Sequence, residues 1–86
     1  MSYQEFRESL AGYKSRKMVN KSSLQRYLDI TFATMQRYCK QGNIKEEKVG
    51  RTAYIKATDL IKYLLDHDLV HLAGLTKTYA EDSSNK

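Results

Sequence analysis

Apolar side chains recur every three or four positions through the first half of the chain, and this spacing predicts short amphipathic helices. The first predicted helix lies within residues 3–13, with Ser2 as its N-cap and Gly12 at its end. Its apolar face consists of Phe6, Leu10 and Tyr13. The sequence KSRK then forms a basic connector up to residue 17.

Two short helices joined by a tight turn are predicted next. Asn20 is a favourable N-cap for a helix over residues 21–28. Asp29 breaks this helix, and Thr31 can cap a further helix over residues 32–41. Two short helices in this order are typical of a helix-turn-helix motif.

The hydrophobic period changes from about four residues to two after Gly42, which is expected to end the preceding helix in the left-handed conformation. β-forming residues then lie within and on both sides of the sequence KVGRT, in which Gly50 suits a hairpin turn. These residues are Ile44, Val49, Tyr54 and Ile55. The chain is therefore predicted to be mainly α with a small β-hairpin.

A last amphipathic helix is predicted after the hairpin, with Thr58 as its N-cap and Asp59 favourable in its first turn. Its apolar residues are Leu60, Ile61, Leu64 and Leu65. The pattern weakens beyond His67: the sequence LVHLAGL is apolar enough to pack as a partial helix, and the sequence TKTYAEDSSNK is polar. Residues 72–86 are therefore predicted to form a flexible C-terminal tail.

Positive charge is concentrated in the middle of the chain. The net charge of the whole chain is +5, but residues 14–62 carry twelve Lys and Arg against four Asp and Glu, a net charge of +8. The remaining residues carry three basic and six acidic side chains, a net charge of −3. A basic segment between acidic flanks suits a polyanion such as nucleic acid. The alternative is a basic surface that is simply solvated.

The size and residue content of the chain favour a binding protein over an enzyme. Its 86 residues form one domain with a modest core, and no catalytic triad or phosphate-binding glycine loop is visible. No enzymatic activity and no cofactor are therefore expected. Cys39 has no disulfide partner and no apolar run is long enough for a membrane span, so a cytoplasmic protein is predicted. His67 and His71 lack further zinc ligands and are interpreted as surface residues.

The candidate chemistry lies on the outward face of the helix over residues 32–41. The inward residues of this helix are expected to be Met35, Tyr38 and Cys39. On the other face, Gln36 could pair with adenine, Arg37 with guanine and Lys40 with a phosphate. Such a face enters the DNA major groove in helix-turn-helix proteins, although a merely solvated face is the alternative. The candidate contact residues are Thr31, Phe32, Ala33, Gln36, Arg37 and Lys40.

The hairpin turn offers a second set of candidate contacts. It contains Lys48, Gly50, Arg51 and Thr52. A tight basic turn can follow the DNA backbone or place Arg51 in the minor groove, where the potential is most negative. A solubilising turn is the alternative, because Gly beside Arg is common in loops.

Four segments, YLDIT, MQRYCKQGNI, KVGRTAYI and TDLIKYLL, follow one another between Val19 and Leu65. In their order and spacing they resemble the excisionase-like, MerR-like winged helix-turn-helix domain of phages and mobile elements. The resemblance implies that the helix from Phe32 reads the major groove, that residues 50–52 form the wing, and that the helix from Thr58 packs behind both. Together with the patterns on either side of these segments, it gives three expected regions: an N-terminal helix with its connector (1–17), which lies outside the resemblance, the winged helix-turn-helix domain (18–71) and the tail (72–86).

The resemblance also implies a function: sequence-specific binding of double-stranded DNA by an excisionase. Such a protein bends DNA and promotes excision by a tyrosine or serine integrase. Cooperative self-association on DNA is a further expectation, since the acidic ends could contact the basic middle of a neighbouring copy. A small transcriptional repressor or regulator of a phage or mobile element is one alternative. A protein-interaction module in phage packaging or replication is another.

Overall fold

The computed structural model of the protein describes residues 2–83. Within this part of the chain there are five helices and one three-stranded antiparallel sheet, so the protein is mainly helical, as predicted. The helices are α1 (Tyr3–Ala11), α2 (Lys21–Leu28), α3 (Phe32–Gln41), α4 (Ala57–Asp66) and α5 (Val70–Ser83). The strands are β1 (Met18–Asn20), β2 (Glu46–Val49) and β3 (Thr52–Lys56).

Side-chain caps determine where α1, α2 and α3 begin. Oxygen atoms of Ser2, Asn20 and Thr31 accept hydrogen bonds from the backbone amide three residues further on, at 3.1, 3.0 and 3.1 Å. Each bond satisfies an amide that has no carbonyl partner inside the helix. All three predicted N-caps are confirmed.

Left-handed residues end α2, α3 and α4. Asp29, Asn43 and Asp68 have φ angles of 57°, 51° and 59°. After each of them, the next amide donates to the carbonyl five residues earlier, which is the Schellman arrangement. The left-handed conformation predicted for Gly42 is wrong, because its φ is −85° and Asn43 takes that role. Gly42 permits close packing instead, since a Cβ there would lie 2.9 Å from Cδ2 of Tyr63.

The sheet contains the predicted hairpin and one strand that the sequence pattern did not indicate. Its strand order is β1-β3-β2, with Val19 opposite Ile55. The hairpin turn is confirmed: Val49 pairs with Thr52, and Gly50 has a φ of 65°, the conformation that a two-residue turn with a leading glycine requires. β1 has only three residues and leads directly into α2, so no alternating pattern could identify it.

Helix α4 begins two residues earlier than predicted. Its N-cap is Lys56, which makes no side-chain capping bond, so the prediction of Thr58 as the cap is wrong. β3 runs straight into the helix, and Lys56 is still paired with Met18 in the sheet. The Thr58 hydroxyl donates to the carbonyl of Ser15 at 3.3 Å, which ties the connector to α4.

The core lies between the inner face of the sheet and the helices. Its most deeply buried large apolar side chains include Leu10, Leu24, Met35, Ile55, Leu60 and Leu64. The inward positions predicted for α3 are confirmed, because Met35, Tyr38 and Cys39 are all buried. Ile30 is half-buried and packs against this core from the turn between α2 and α3.

Helix α5 occupies most of the segment that was predicted to be a flexible tail, and this prediction is corrected up to Ser83. Ala73, Thr76 and Ala80 of α5 are fully buried. The hydroxyl of Thr76 donates to the carbonyl of Leu72 at 2.8 Å, so this polar side chain can be buried without losing a hydrogen bond. Residues 84–86 of the predicted tail lie outside the described residues.

Aromatic contacts join α5 and α1 to the other helices. The Tyr79 ring lies 5.2 Å from that of Tyr27, which is 41% exposed. Phe6 of α1 packs on Gly74, where an added Cβ would come within 2.7 Å of its ring. Arg7 also donates to the carbonyl of Leu65 at 2.7 Å. Both terminal helices therefore pack against the central part of the fold.

Candidate nucleic-acid interface

The outward face of α3 is exposed as the helical period predicted. With Met35, Tyr38 and Cys39 in the core, the opposite side of the helix faces solvent. The exposed candidates are Phe32, Ala33, Gln36, Arg37 and Lys40. Phe32 is 63% exposed, although it is a large apolar residue at the start of a helix.

Thr31 has a structural role at the start of α3. Besides accepting from the Thr34 amide, its hydroxyl donates to Oγ1 of Thr34 at 2.8 Å. The hydroxyl proton and one of its two acceptor lone pairs are therefore engaged within the protein. Thr31 therefore positions α3, and its hydroxyl proton is not available to a phosphate.

The hairpin register places Lys48 on the same side of the sheet as the groove beside α3. Glu46 pairs with Ile55 and Lys48 with Ala53, so their side chains share the sheet face that holds buried Ile55. A groove runs between α3 and β2 on this side. Its lining residues include Ala33, Gln36, Arg37, Lys40, Ile44 and Glu46. Lys48 therefore continues the groove toward the hairpin turn.

The hairpin tip adds exposed residues of mixed character. Gly50 and Arg51 are exposed in the turn, and Thr52 is half-buried. Val49 is 68% exposed, on the sheet face opposite to Lys48. The tip thus combines one cation with one apolar side chain, both accessible to a partner.

Four cations of the two elements have no acidic partner within residues 2–83. These residues are Arg37, Lys40, Lys48 and Arg51. The ion pairs among residues 2–83 are formed elsewhere, by Arg7 with Asp68 and by Lys21 with Glu46. The Arg37 guanidinium lies over the Tyr38 ring, 5.7 Å from its centroid, and this contact leaves its N–H donors free. These four cations are therefore available to a ligand, although β2 also contributes Glu46 and Glu47 to the hairpin.

A buried polar cluster under this surface was missed by the sequence analysis. Lys21 is only 6% exposed, and its ammonium donates to Oε2 of Glu46 at 2.8 Å and to Oε1 of Gln36. These three side chains come from α2, β2 and α3. Lys21 lies three and seven positions before the buried Leu24 and Leu28, so its place on the inner stripe of α2 could have been read from the sequence.

Burial raises the pKa of the Cys39 thiol above its ordinary value; nearby Lys21 lowers it, and Glu46 raises it further. We expect Cys39 of the folded protein to react with a thiol reagent at neutral pH at least about tenfold more slowly than in denaturant, because the thiolate is the reactive form and access is restricted. The variant Ser22→Cys, which adds a thiol at an exposed position, is the control. It should contain one thiol that reacts fast, at position 22, and one that reacts slowly, Cys39. Equal rates would contradict the buried position of Cys39.

Residues 2–83 contain no group of three or more His, Cys, Asp or Glu side chains that could hold a metal ion. The His67 ring lies 4.2 Å from the Tyr63 ring. None of the helices described is both long and apolar enough to cross a membrane.

Comparison of the chain with protein-family models, with curated proteins and with solved structures finds no match. What this surface can bind is therefore inferred from the charge and the exposure of its residues and from the elements that hold them.

Proposed function

We propose that the protein binds double-stranded DNA as a winged helix-turn-helix domain, with α3 in the major groove and the β2–β3 hairpin as the wing. The observation that carries this proposal is the set of four exposed, unpaired cations on two elements that border one groove. Phosphates of a duplex flank each groove on both sides, so cations on a helix and on an adjacent hairpin can contact both backbones.

The buried cluster of Lys21, Gln36 and Glu46 supports this proposal because it holds the two elements together. Lys21 bonds to β2 through Glu46 and to α3 through Gln36. A surface whose parts are fixed in advance loses less conformational entropy on binding than one that must be assembled. The hairpin and α3 would then meet DNA as one rigid unit.

The resemblance of residues 19–65 to excisionase-like domains makes DNA bending for integrase-mediated excision the proposed biological role. In this role the protein needs no chemistry of its own. It neutralises phosphates, reads a few bases and bends the duplex, so that a tyrosine or serine integrase acts in the direction of excision. Several copies could bind adjacent sites cooperatively.

Two substitutions in the proposed interface test DNA binding. Arg37→Ala is expected to weaken binding to the preferred sequence by about 1–3 kcal/mol and to relax the preference at one base pair. Lys48→Ala is expected to weaken binding to all sequences alike and to reduce the salt slope by about 1. Titrations of specific and random duplexes at several salt concentrations, by fluorescence anisotropy, measure both effects.

The wild-type response to salt supplies the control. With about five phosphate contacts, the slope of log affinity against log salt is expected to be near −4 to −5. Lys77→Ala removes the same charge from α5, where Lys77 lies 5.5 Å from the centroid of the Tyr13 ring, and should leave the slope nearly unchanged. A flat wild-type response would refute DNA binding and favour a protein partner. Equal losses for Arg37→Ala and Lys77→Ala would refute the assigned interface.

A further inference from the structure

We infer that Lys21 fixes the side-chain amide of Gln36 so that only its N–H donors face a ligand, and that this orientation selects guanine over adenine. The inference rests on the proposed DNA-binding function and assigns Lys21 as a positioning residue. Lys21 would then set base specificity without touching DNA, since its own side chain is 6% exposed.

The chemistry of the contact decides which way the Gln36 amide points. The two ends of a glutamine amide have similar shapes, and only hydrogen bonding distinguishes them. A lysine ammonium carries three donors and no acceptor, so the atom that it contacts must be the oxygen, Oε1. The Nε2 group then points away from Lys21, and it donates to no acceptor among residues 2–83.

The Lys21 ammonium is itself held in place. Its side chain is 7% exposed, and Glu46 holds it through an ion pair of 2.8 Å. Buried charged groups need several hydrogen-bonding partners, and the Gln36 oxygen is the second acceptor that this ammonium has. Rotation of the Gln36 amide would bring N–H groups against the ammonium and remove that acceptor. The orientation is therefore strongly favoured.

A fixed amide changes the base that Gln36 can read. The bidentate pair of glutamine with adenine needs its oxygen to accept from N6–H while its nitrogen donates to N7. In this protein the oxygen is turned toward a buried ammonium, so the outward group offers donors alone. Guanine presents two acceptors, N7 and O6, in the major groove, and matches a donor group better than adenine does.

The neighbouring side chains of α3 have the same character. Arg37 and Lys40 are exposed, and both carry only donors. Together with the Gln36 amide they make three contact positions on one helix face that offer hydrogen-bond donors and no charged acceptor. Such a face fits a guanine-rich half-site, with phosphate as the remaining acceptor for Lys40.

Selection of bound sequences from a randomised duplex library tests the inference. The wild-type protein is expected to favour guanine over adenine by at least about fivefold at the position that Gln36 contacts. Lys21→Met frees the amide and should shift this position toward adenine. Gln36→Glu replaces the donor by an acceptor and should abolish the guanine preference there. Lys40→Met is the matched control: it should lower the affinity and leave the base preference at this position unchanged.

A second measurement needs no DNA. In heteronuclear NMR spectra, the side-chain amide signals of Gln36 should shift in Lys21→Met and stay in place in Lys40→Met. Unshifted signals in Lys21→Met would show that Lys21 does not fix the orientation of the Gln36 amide. Duplex binding with the same base preference in wild type, Lys21→Met and Gln36→Glu would overturn the inference while leaving the proposed function intact. Absence of duplex binding by the wild type would overturn both.

Discussion

Ala73→Asp is expected to lower the free energy of unfolding by about 3–5 kcal/mol, because it places a carboxylate without a partner in the core. Ala73 is fully buried in α5, whose buried residues belong to the same cluster as those of α4. A small residue at this position lets the two helices approach closely. A larger, charged side chain therefore both overpacks the contact and buries a charge. Denaturant unfolding followed by circular dichroism measures the change.

His71→Asp is the matched control for this prediction. It introduces the same side chain into the same helix, two positions earlier, where the residue is exposed. A carboxylate near the N-terminus of a helix is favourable, so the expected change is within about 0.5 kcal/mol. Similar stabilities of the two variants would mean that α5 does not pack as described, and would restore the sequence-based prediction of a flexible tail.

Glu46→Leu is expected to destabilise the protein by about 2–3 kcal/mol, because it leaves the buried ammonium of Lys21 with the Gln36 oxygen as its remaining partner. The expected loss is smaller than for a fully buried ion pair because the Glu46 side chain is 32% exposed. Thermal and denaturant unfolding of the variant measure it.

Lys21→Met removes the other member of the same ion pair. The free energy of unfolding is expected to change by no more than about 1 kcal/mol, because an apolar side chain of similar length fills the buried site. The polar groups of Glu46 and Gln36 can then hydrogen-bond to water. The double variant Lys21→Met, Glu46→Leu should be more stable than Glu46→Leu alone. If instead Lys21→Met lowers the free energy of unfolding as much as Glu46→Leu does, the ion pair itself contributes net stability. The unpaired buried ammonium would then not explain the loss in Glu46→Leu.

The position of α5 also changes how self-association on DNA can be tested. Deletion of residues 72–86 would remove Ala73, Thr76 and Ala80 from the core, so loss of cooperative binding could follow from unfolding alone. Substitution of exposed acidic residues is the appropriate test of whether the acidic ends contact a neighbouring copy. Asp68 is less suitable, because it accepts hydrogen bonds from Tyr3 and Arg7.

Most local features of the fold could be predicted because they depend on residues close in sequence. The caps of α1, α2 and α3 are bonds over three residues, and the bounds predicted for α2 and α3 agree with the structure. The break at Asp29 and the turn at Gly50 also follow from local backbone preference, since both residues have positive φ. The exposure of Gln36 and Arg37 follows from the helical period alone.

The features that were missed depend on contacts between distant parts of the chain. β1 has its partner 36 positions away, with Val19 opposite Ile55. Gly42 looked like a left-handed helix end, but the Tyr63 ring of another helix is what requires a glycine there. Helix α5 was interpreted as a tail because its buried residues are small or hydroxyl-bearing, and their apolar signal is weak.

The sequence by itself determined the helices, their caps, the hairpin turn and a basic outer face on α3, because bonds between near neighbours and the helical period are sufficient for each. The tertiary structure alone decided which face of the hairpin lies beside α3 and what fills the space between them. It buried Lys21 against Glu46 and Gln36, and so determined the direction in which an exposed amide can donate. Burial and charge pairing depend on which elements meet, and no short segment of the chain contains that information.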